Sequence, residues 1–314
     1  MSVIDVRHVT KDYGHGRGIF DVSFKIEKGE VFGFLGPNGA GKTTTIRHLM
    51  GFSKAQEGEL FINGKECWKS AARIKHDIGY LPGELAFPKG MTGKDFIKFM
   101  SDERQITDMT RTEYLKEIFE LDTSMEIKEM SLGSKRKLAL VTAFMHNPKI
   151  LILDEPTSGL DPIMQERFIK FILDEKKDGK TILLSSHIFS EVDATCDRIA
   201  IIKDGVVVST IEASKLKYNS NKAFKIEFTT HAEYQKFLSR TQFKIPIKRP
   251  EQNQIKLNLT DEVMQNLISE LSEVDINFFS EIKFTLEDYF MDFYDRKKTI
   301  ARGEEHLEYG LHRN

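Results

Sequence analysis

One octapeptide limits what this chain can fold into more than any other part of the sequence. Residues 36–43 read GPNGAGKT and match the phosphate-loop pattern G-x-x-x-x-G-K-[ST] at every fixed position. The apolar run at residues 30–35 predicts a buried strand, and residues 44–50 predict the helix that follows. A glycine-rich turn without a ligand is the alternative, but the strand and helix on either side favour a site for a nucleoside triphosphate.

Each residue of this loop has an expected task. Glycines let the backbone turn tightly enough to aim several N–H groups at one phosphate, and the helix N-terminus adds partial positive charge. We expect Lys42 to reach the outer phosphates, Thr43 to bind Mg²⁺ and Thr44 to contact the inner phosphate. The predicted nucleotide-binding residues of the loop are Gly36, Pro37, Asn38, Gly39, Ala40, Gly41, Lys42, Thr43 and Thr44. The loop alone does not distinguish kinases, GTPases, motor ATPases and transporter ATPases.

A second apolar segment ends in paired carboxylates. Residues 150–153 are aliphatic and run into Asp154 and Glu155, a pattern typical of a buried parallel strand with catalytic groups at its carboxyl end. We expect Asp154 to hold Mg²⁺, directly or through water, and Glu155 to polarise the attacking water. The next buried strand ends on His187, and one crossover helix would bring that imidazole to the same phosphate site.

Composition limits the partners of the chain. The net charge of 314 residues is −2, so the sequence gives no reason to expect nucleic acid. Cys67 and Cys196 lie far apart without metal-ligand spacing, which suits reduced thiols in a cytosolic protein. No stretch approaches the roughly 18 apolar residues that span a bilayer. Any membrane span must therefore come from a partner.

The order of predicted elements divides the chain in two. Residues 1–216 form the nucleotide-binding domain, with a helical insertion at about residues 84–146. Residues 217–296 follow the strand-helix-strand-strand-helix-strand order of a small ferredoxin-like α+β domain, with strands predicted at residues 223–228, 243–247, 254–259 and 276–284. A helix at residues 286–294 and a polar tail at residues 297–314 complete the prediction.

The motifs taken together resemble the ATP-binding subunit of ABC transporters over about residues 2–215. The resemblance rests on residues 36–44, Ser131-Leu132-Gly133, Asp154-Glu155, residues 158–161 and His187. It implies an α/β P-loop ATPase core with an antiparallel β subdomain and a helical insertion, and ATP and Mg²⁺ as cofactors.

The resemblance also implies roles for individual residues. Tyr13 would stack on adenine, Lys42 would bind the phosphates, Glu155 would be the general base and His187 would contact the γ-phosphate. Asp161 would communicate across a dimer. Each ATP would lie between the phosphate loop of one chain and the helix opened by Ser131 and Gly133 of the other.

Two shorter stretches resemble the branch that exports drugs, peptides or polysaccharides. These are Leu81-Pro82-Gly83-Glu84 and residues 286–290. In that branch the ATPase is a separate chain with an appended C-terminal domain. The resemblance implies a homodimer docked on integral membrane subunits, cytoplasmic and peripheral on the inner face of the cell membrane.

Two departures from the family pattern bear on activity. Gly83 stands where most members have a glutamine, and the neighbouring Glu84 is the candidate to replace it as a metal or water contact. Leu132 replaces a signature glycine whose amide should approach the γ-phosphate of the opposite subunit, and Ser134 replaces the signature glutamine. A weakly active nucleotide sensor is therefore one alternative interpretation. A soluble ABC ATPase that acts on ribosomes or DNA is another.

Overall fold

The structure, a computed structural model, describes residues 2–217, 221–282, 285–287 and 289–290. The chain divides after Ala213 into two units. The first unit contains ten strands and seven helices in the described residues: β1 (Ser2–Asp12), β2 (Gly18–Glu27), β3 (Val31–Leu35), α1 (Lys42–Leu49), β4 (Glu57–Ile62), β5 (Lys65–Glu66), α2 (Ala71–Asp77), β6 (Gly79–Leu81), α3 (Gly93–Glu103), α4 (Thr110–Ile118), α5 (Leu132–Phe144), β7 (Ile150–Asp154), α6 (Pro162–Lys177), β8 (Thr181–Ser186), α7 (Phe189–Thr195), β9 (Arg198–Lys203) and β10 (Val206–Glu212).

A six-stranded sheet with the order β10-β9-β3-β8-β7-β6 is the centre of the first unit. Its strands are parallel except for β10, which pairs antiparallel with β9. The strands β3, β7 and β8 are buried along their whole length, as parallel strands covered on both faces must be. Their carboxyl ends lie side by side, because Leu35 pairs with Ser186 and Asp154 pairs with Ser185. This register brings the phosphate loop and the predicted carboxylates to one edge.

A four-stranded antiparallel sheet, β2-β1-β4-β5, shares a hydrophobic core with this sheet. The ring of Phe24 on β2 stacks on Phe32 of β3 at 5.3 Å between centroids and lies 5.2 Å from Phe34. Asn63 and Gly64 both have positive φ and close the turn between β4 and β5, as the Asn-Gly pair predicts. The predicted antiparallel subdomain is confirmed.

The predicted helical insertion contains α3, α4, α5 and a 3₁₀ turn at Ile127–Glu129. Thr92 and Asp95 form a reciprocal capping box at the start of α3. Phe144 at the end of α5 packs edge-on against Phe171 of α6, 4.9 Å between ring centroids. Among the described residues, no helix is both long enough and apolar enough to cross a bilayer.

The second unit has the ferredoxin-like order. Its elements are α8 (Ala213–Lys217), which begins at the boundary, β11 (Asn221–Phe228), α9 (His231–Arg240), β12 (Ile247–Arg249), β13 (Gln254–Thr260), a 3₁₀ turn (Asp261–Val263), α10 (Met264–Leu271) and β14 (Ile276–Ile282). The described strands form an antiparallel sheet with the order β12-β13-β11-β14, and buried side chains of α9 and α10 belong to the core of this unit.

One predicted strand of this unit is wrong. Residues 243–246 are not a strand, and pairing with β13 begins only at Ile247. Pro246 explains the difference, because proline has no backbone N–H to give to a ladder. Phe243 and Ile245 pack against the core of the unit without joining the sheet. Residues 283–284, most of the predicted final helix and the polar tail lie outside the described residues.

Candidate functional site

The phosphate loop runs from the end of β3 to the start of α1. Gly39 and Gly41 have φ values of 82° and 108°, the left-handed region that favours glycine. A Cβ atom on Gly36 would lie 2.4 Å from the carbonyl oxygen of Ile202, so this position has no room for a side chain. No side chain caps the N-terminus of α1. Its first backbone N–H groups therefore suit an anion.

Three predicted catalytic residues lie in one line of contacts. The ammonium of Lys42 lies 3.1 Å from Oε1 of Glu155, and Oε2 of Glu155 lies 3.1 Å from Nδ1 of His187. Only 4% of Lys42 is exposed, and its Nζ also donates to the carbonyl oxygens of Gly36 at 2.6 Å and Pro37 at 3.2 Å. The lysine thus lies over its own loop with its charge beside the predicted base.

Glu155 adopts a strained backbone conformation. Its φ is 48°, a region that costs a residue with a side chain about 1–3 kcal/mol. Its backbone N–H donates to the carbonyl oxygen of Ser185 at 3.1 Å, which fixes this turn to the end of β8. The turn directs the carboxylate towards Lys42 and His187 rather than along the continuation of β7. Strain of this kind is common at active sites.

Asp154 is fully buried at the end of β7. One of its oxygens, Oδ1, accepts a hydrogen bond from the hydroxyl of Ser185. The other, Oδ2, has no hydrogen-bond partner in the described part of the chain. A Cβ atom on Gly83 would lie 3.0 Å from Oδ2, so the Pro-Gly turn packs directly over this carboxylate. Burial, with the charge of Asp154 as a second cause, raises the pKa of Tyr80 to about 12.

The remaining predicted metal and phosphate ligands lie on α1 and on the turn after β6. Thr43 is exposed and Thr44 is half-buried, both in the first turn of α1. Glu84 is exposed and directly follows Gly83. Thr43 thus lies on the helix that follows β3 and Asp154 lies at the end of β7, with β8 between these two strands, whereas Glu84 is exposed in the turn after β6.

Tyr13 projects from the loop between β1 and β2, and 57% of it is exposed. The N–H of Tyr13 donates to the carbonyl oxygen of Arg17 at 2.8 Å, and Nζ of Lys11 lies 5.5 Å from the ring centroid. The far end of this loop reaches the phosphate loop: a Cβ atom on Gly41 would lie 3.4 Å from the carbonyl oxygen of Gly18. The exposed ring therefore belongs to a loop that borders the nucleotide-binding segment.

The signature residues Ser131, Leu132 and Gly133 lie at the start of α5 and against the loop that follows Glu155. Ser131 caps α5 through a bond from the N–H of Ser134 to its Oγ at 3.0 Å. A Cβ atom on Gly133 would lie 3.0 Å from the carbonyl oxygen of Gly159. Leu132 is 60% exposed, and its side chain lies beside Gly159. Among the described residues, Ser131 bonds to Ser134 and Gly133 packs against Gly159, and both contacts lie outside the phosphate loop of the same chain.

Asp161 is the N-cap of α6. Its Oδ1 accepts a hydrogen bond from the N–H of Met164 at 3.0 Å, and this bond lowers the pKa of the carboxyl. Pro162 follows at the first helical position, where its missing N–H has no consequence. Asp161 therefore has a structural role within this chain besides the role across a dimer that the resemblance implies.

Sequence reasoning missed Arg136 on α5. Its guanidinium is buried and donates to three backbone carbonyl oxygens: Pro82 at 2.9 Å, Gly83 at 2.8 Å and Ser158 at 3.1 Å. Helical spacing could not have identified it, because its basic neighbours Lys135 and Lys137 also stand four residues before buried side chains, those of Ala139 and Val141.

A second missed residue, Glu191 of α7, lies behind His187. Oε2 of Glu191 accepts a hydrogen bond from the hydroxyl of Ser186 at 2.5 Å, and that hydroxyl in turn accepts from the N–H of Ile188 at 2.9 Å. Burial raises the pKa of Glu191 to about 7. The carboxyl thus helps to fix the turn that carries the histidine.

Comparisons with known proteins identify the family of the chain. The sequence model of the ABC transporter family matches residues 19–158. An uncharacterised ABC transporter ATP-binding protein of Methanocaldococcus jannaschii is 32% identical over 92% of this chain and 98% of its own length. The bacitracin transport ATP-binding protein BcrA of Bacillus licheniformis is 32% identical over 73% of this chain and 76% of its own length. A solved ATP-binding subunit of an ABC transporter, 26% identical, superposes with a TM-score of 0.62 over 69% of this chain and 92% of that chain.

A P-loop ATPase core with an antiparallel subdomain and a helical insertion is the architecture of an ABC-type ATP-binding cassette. The chain belongs to the ATP-binding proteins of the ABC transporter family. It hydrolyses ATP to power transport through separate membrane subunits.

Proposed function

We propose that two copies of this chain close around two ATP molecules and that hydrolysis drives export through integral membrane subunits. The observation that carries the proposal is the line of contacts from Lys42 through Glu155 to His187. It places a cation, a carboxylate and an imidazole beside the start of α1. Phosphoryl transfer to water depends mainly on such positioning and charge stabilisation.

Each member of this line has one proposed task in hydrolysis. Lys42 binds the outer phosphates and exchanges its contact with Glu155 for one with the nucleotide. Glu155 accepts a proton from the attacking water, which forms its new bond to the γ-phosphorus as the bond to ADP breaks. His187 orients Glu155 through the 3.1 Å contact and binds the γ-phosphate. A positioned general base contributes about 10²–10⁴-fold to such a rate.

The other nucleotide contacts come from the loops that border α1. The backbone of residues 36–41 surrounds the phosphates, and Thr44 binds the inner phosphate. Tyr13 stacks on adenine, an assignment supported by its exposure and by the approach of its loop to Gly41. An exposed aromatic ring offers a flat apolar face for a base.

The chain also offers suitable ligands for Mg²⁺, which would neutralise charge on the phosphates. Mg²⁺ prefers oxygen ligands, and Oδ2 of Asp154 is a buried carboxylate oxygen without a partner among the described residues. Thr43 supplies a hydroxyl from the first turn of α1. Glu84 is the proposed additional oxygen, because the turn that carries it lies over Asp154. The oxygen donors of these side chains suit the ion by their chemistry.

The second copy completes the nucleotide site in this proposal. Ser131 and Gly133 begin α5, a helix of thirteen residues whose N-terminus suits a phosphate. Within the described part of one copy, Ser131 bonds to Ser134 and Gly133 packs against Gly159, both outside the phosphate loop. Leu132, 60% exposed, would meet the partner instead. Asp161, at the start of α6, would carry the signal between the two copies.

Export is the proposed direction of transport, and the inner face of the cell membrane is the proposed location. BcrA is named a bacitracin transport ATP-binding protein, and this name supports a role in transport for the present chain. No described helix could span the bilayer, so the translocation path would belong to the partner.

A reconstitution tests this assignment. We expect the chain to fractionate with membranes only when its membrane subunits are co-expressed, and vesicles with both components to move cargo only with ATP. The Glu155→Gln variant, present in equal amount, is the matched control and should support no transport. Salt-sensitive sedimentation with ribosomes, together with indifference to the membrane subunits, would instead favour a soluble ABC ATPase.

The second unit is proposed to be an accessory domain, residues 217–296, that supports dimerisation or coupling. Its core contains its own buried aromatics and aliphatics, such as Phe228, Tyr234 and Leu257. A chain truncated after residue 216 should therefore stay folded and bind ATP with an affinity within about twofold of the full chain. Thermal unfolding and titration with a fluorescent ATP analogue measure this. An insoluble fragment, or one that does not bind ATP, would contradict the independence of the two parts.

A further inference from the structure

Arg136 is a buried cation that makes no ion pair among the contacts of the described residues. Only 3% of it is exposed, and its three hydrogen bonds all go to backbone carbonyl oxygens. Burying a charge without a paired opposite charge is unfavourable, so such a residue is seldom needed for packing alone. Burial lowers the pKa of Arg136, and the charges of Asp154 and Glu155 oppose that shift.

The three acceptors lie on the two loops that border the carboxylates. Pro82 and Gly83 form the turn over Asp154, where a Cβ on Gly83 would lie 3.0 Å from Oδ2. Ser158 lies in the loop after Glu155, and its N–H donates to the carbonyl oxygen of Glu155 at 3.1 Å. A movement of either loop therefore changes the surroundings of one carboxylate.

The guanidinium suits this task better than an ammonium would. Its N–H groups are fixed in one plane, so a single side chain holds three carbonyl oxygens in a fixed relation. Arg136 itself belongs to α5, four residues after the start of the helix at Leu132. One side chain thus connects three segments: α5, the turn at residues 82–83 over Asp154, and the loop after Glu155.

We propose that Arg136 is a positioning residue that sets the geometry of Asp154 and Glu155 from the signature helix. It holds the turn at residues 82–83 over Asp154 and the loop at residue 158 behind Glu155. A displacement of α5 is passed to both carboxylates through these three bonds. This inference rests on the roles proposed above for Asp154 and Glu155.

Two substitutions separate the geometry from the charge. Arg136→Lys keeps the charge but cannot reach three diverging oxygens, and Arg136→Gln removes the charge. We expect kcat to fall about tenfold or more in both, the loss of roughly one charge-assisted hydrogen bond, while affinity for an ATP analogue stays within about twofold. The Mg²⁺ concentration for half-maximal activity should rise, because the turn over Asp154 is loosened.

Hydrogen exchange gives a readout that does not depend on activity. Amides of residues 80–85 and 156–160 should exchange faster in the Arg136 variants of the full chain. The matched control is Arg111→Lys. Arg111 lies in the same helical insertion, donates to the carbonyl oxygen of Phe144 at 3.0 Å and pairs with Glu175 at 2.7 Å. Its variant should lose thermal stability while keeping kcat, and exchange in both carboxylate loops, close to wild type.

The outcomes decide between a positioning and a merely structural role. Wild-type kcat in Arg136→Lys would overturn the proposal. The proposal would also be overturned if the loss of activity in the variants equalled the loss of folded protein while hydrogen exchange in both loops stayed unchanged. If Arg136→Gln does not fold, Arg136→Lys alone decides. If the wild-type chain shows no ATPase activity, the proposed site roles fail, and hydrogen exchange still tests whether Arg136 holds the two loops.

Discussion

Replacing Glu155 with glutamine should reduce ATP turnover by about 10²-fold or more while leaving ATP bound. Glutamine keeps the shape of the side chain and can still accept from Lys42 and face His187. It cannot take a proton from water. Single-turnover hydrolysis of labelled ATP measures the chemical step, and filter binding measures the retained nucleotide.

The matched control for this change is Glu113→Gln, an equally conservative change of an exposed carboxylate on α4. Its turnover should equal that of the wild type. A Glu155→Gln chain that hydrolyses ATP at the wild-type rate would show that another group is the base.

The second large effect is expected at the phosphate loop. Lys42→Ala should weaken ATP binding about tenfold or more, since charge-assisted contacts contribute roughly 1.5–3 kcal/mol each. The change also removes the ammonium that lies 3.1 Å from Oε1 of Glu155, so this carboxylate keeps only its contact with His187 beside an incoming polyphosphate. Electrostatic repulsion then adds to the lost contact.

Titration with a fluorescent ATP analogue measures this loss. Lys177→Ala is the matched control, because the side chain of Lys177 is mostly exposed and pairs with Asp174 on the same helix. Equal nucleotide affinity in Lys42→Ala and wild type would contradict the role of Lys42. A melting curve for each variant distinguishes weak binding from loss of fold.

The parts of the fold that were predicted correctly depend on local sequence. The apolar runs before Gly36 and Asp154 determine buried strands by themselves, and Gly39 and Gly41 adopt the left-handed conformation that only glycine readily adopts. The carboxyl ends of parallel strands meet at one edge, so the proximity of Glu155 and His187 followed from strand order alone.

The parts that were missed depend on contacts distant in sequence. The three acceptors of Arg136 are 53, 54 and 22 residues away, and no local pattern identifies carbonyl oxygens as partners. The hydroxyl that binds Asp154 belongs to Ser185, 31 residues later, inside what looks like an ordinary apolar strand. The wrong strand prediction before Ile247 has a local cause instead. The alternating apolar residues there favour a strand, but Pro246 has no N–H for the sheet.

The shared nucleotide site is the central claim, and the mass of Glu155→Gln with ATP tests it most directly. With the membrane subunits present, light scattering should show two copies of this chain in each complex. The two copies should separate only when Ser131→Arg is added to the variant, because the arginine would fill the facing phosphate site. For the isolated variant, ATP should double the mass of one 36.1 kDa chain. A mass that ATP leaves unchanged in both settings, with wild-type turnover per chain independent of protein concentration, would contradict the shared site.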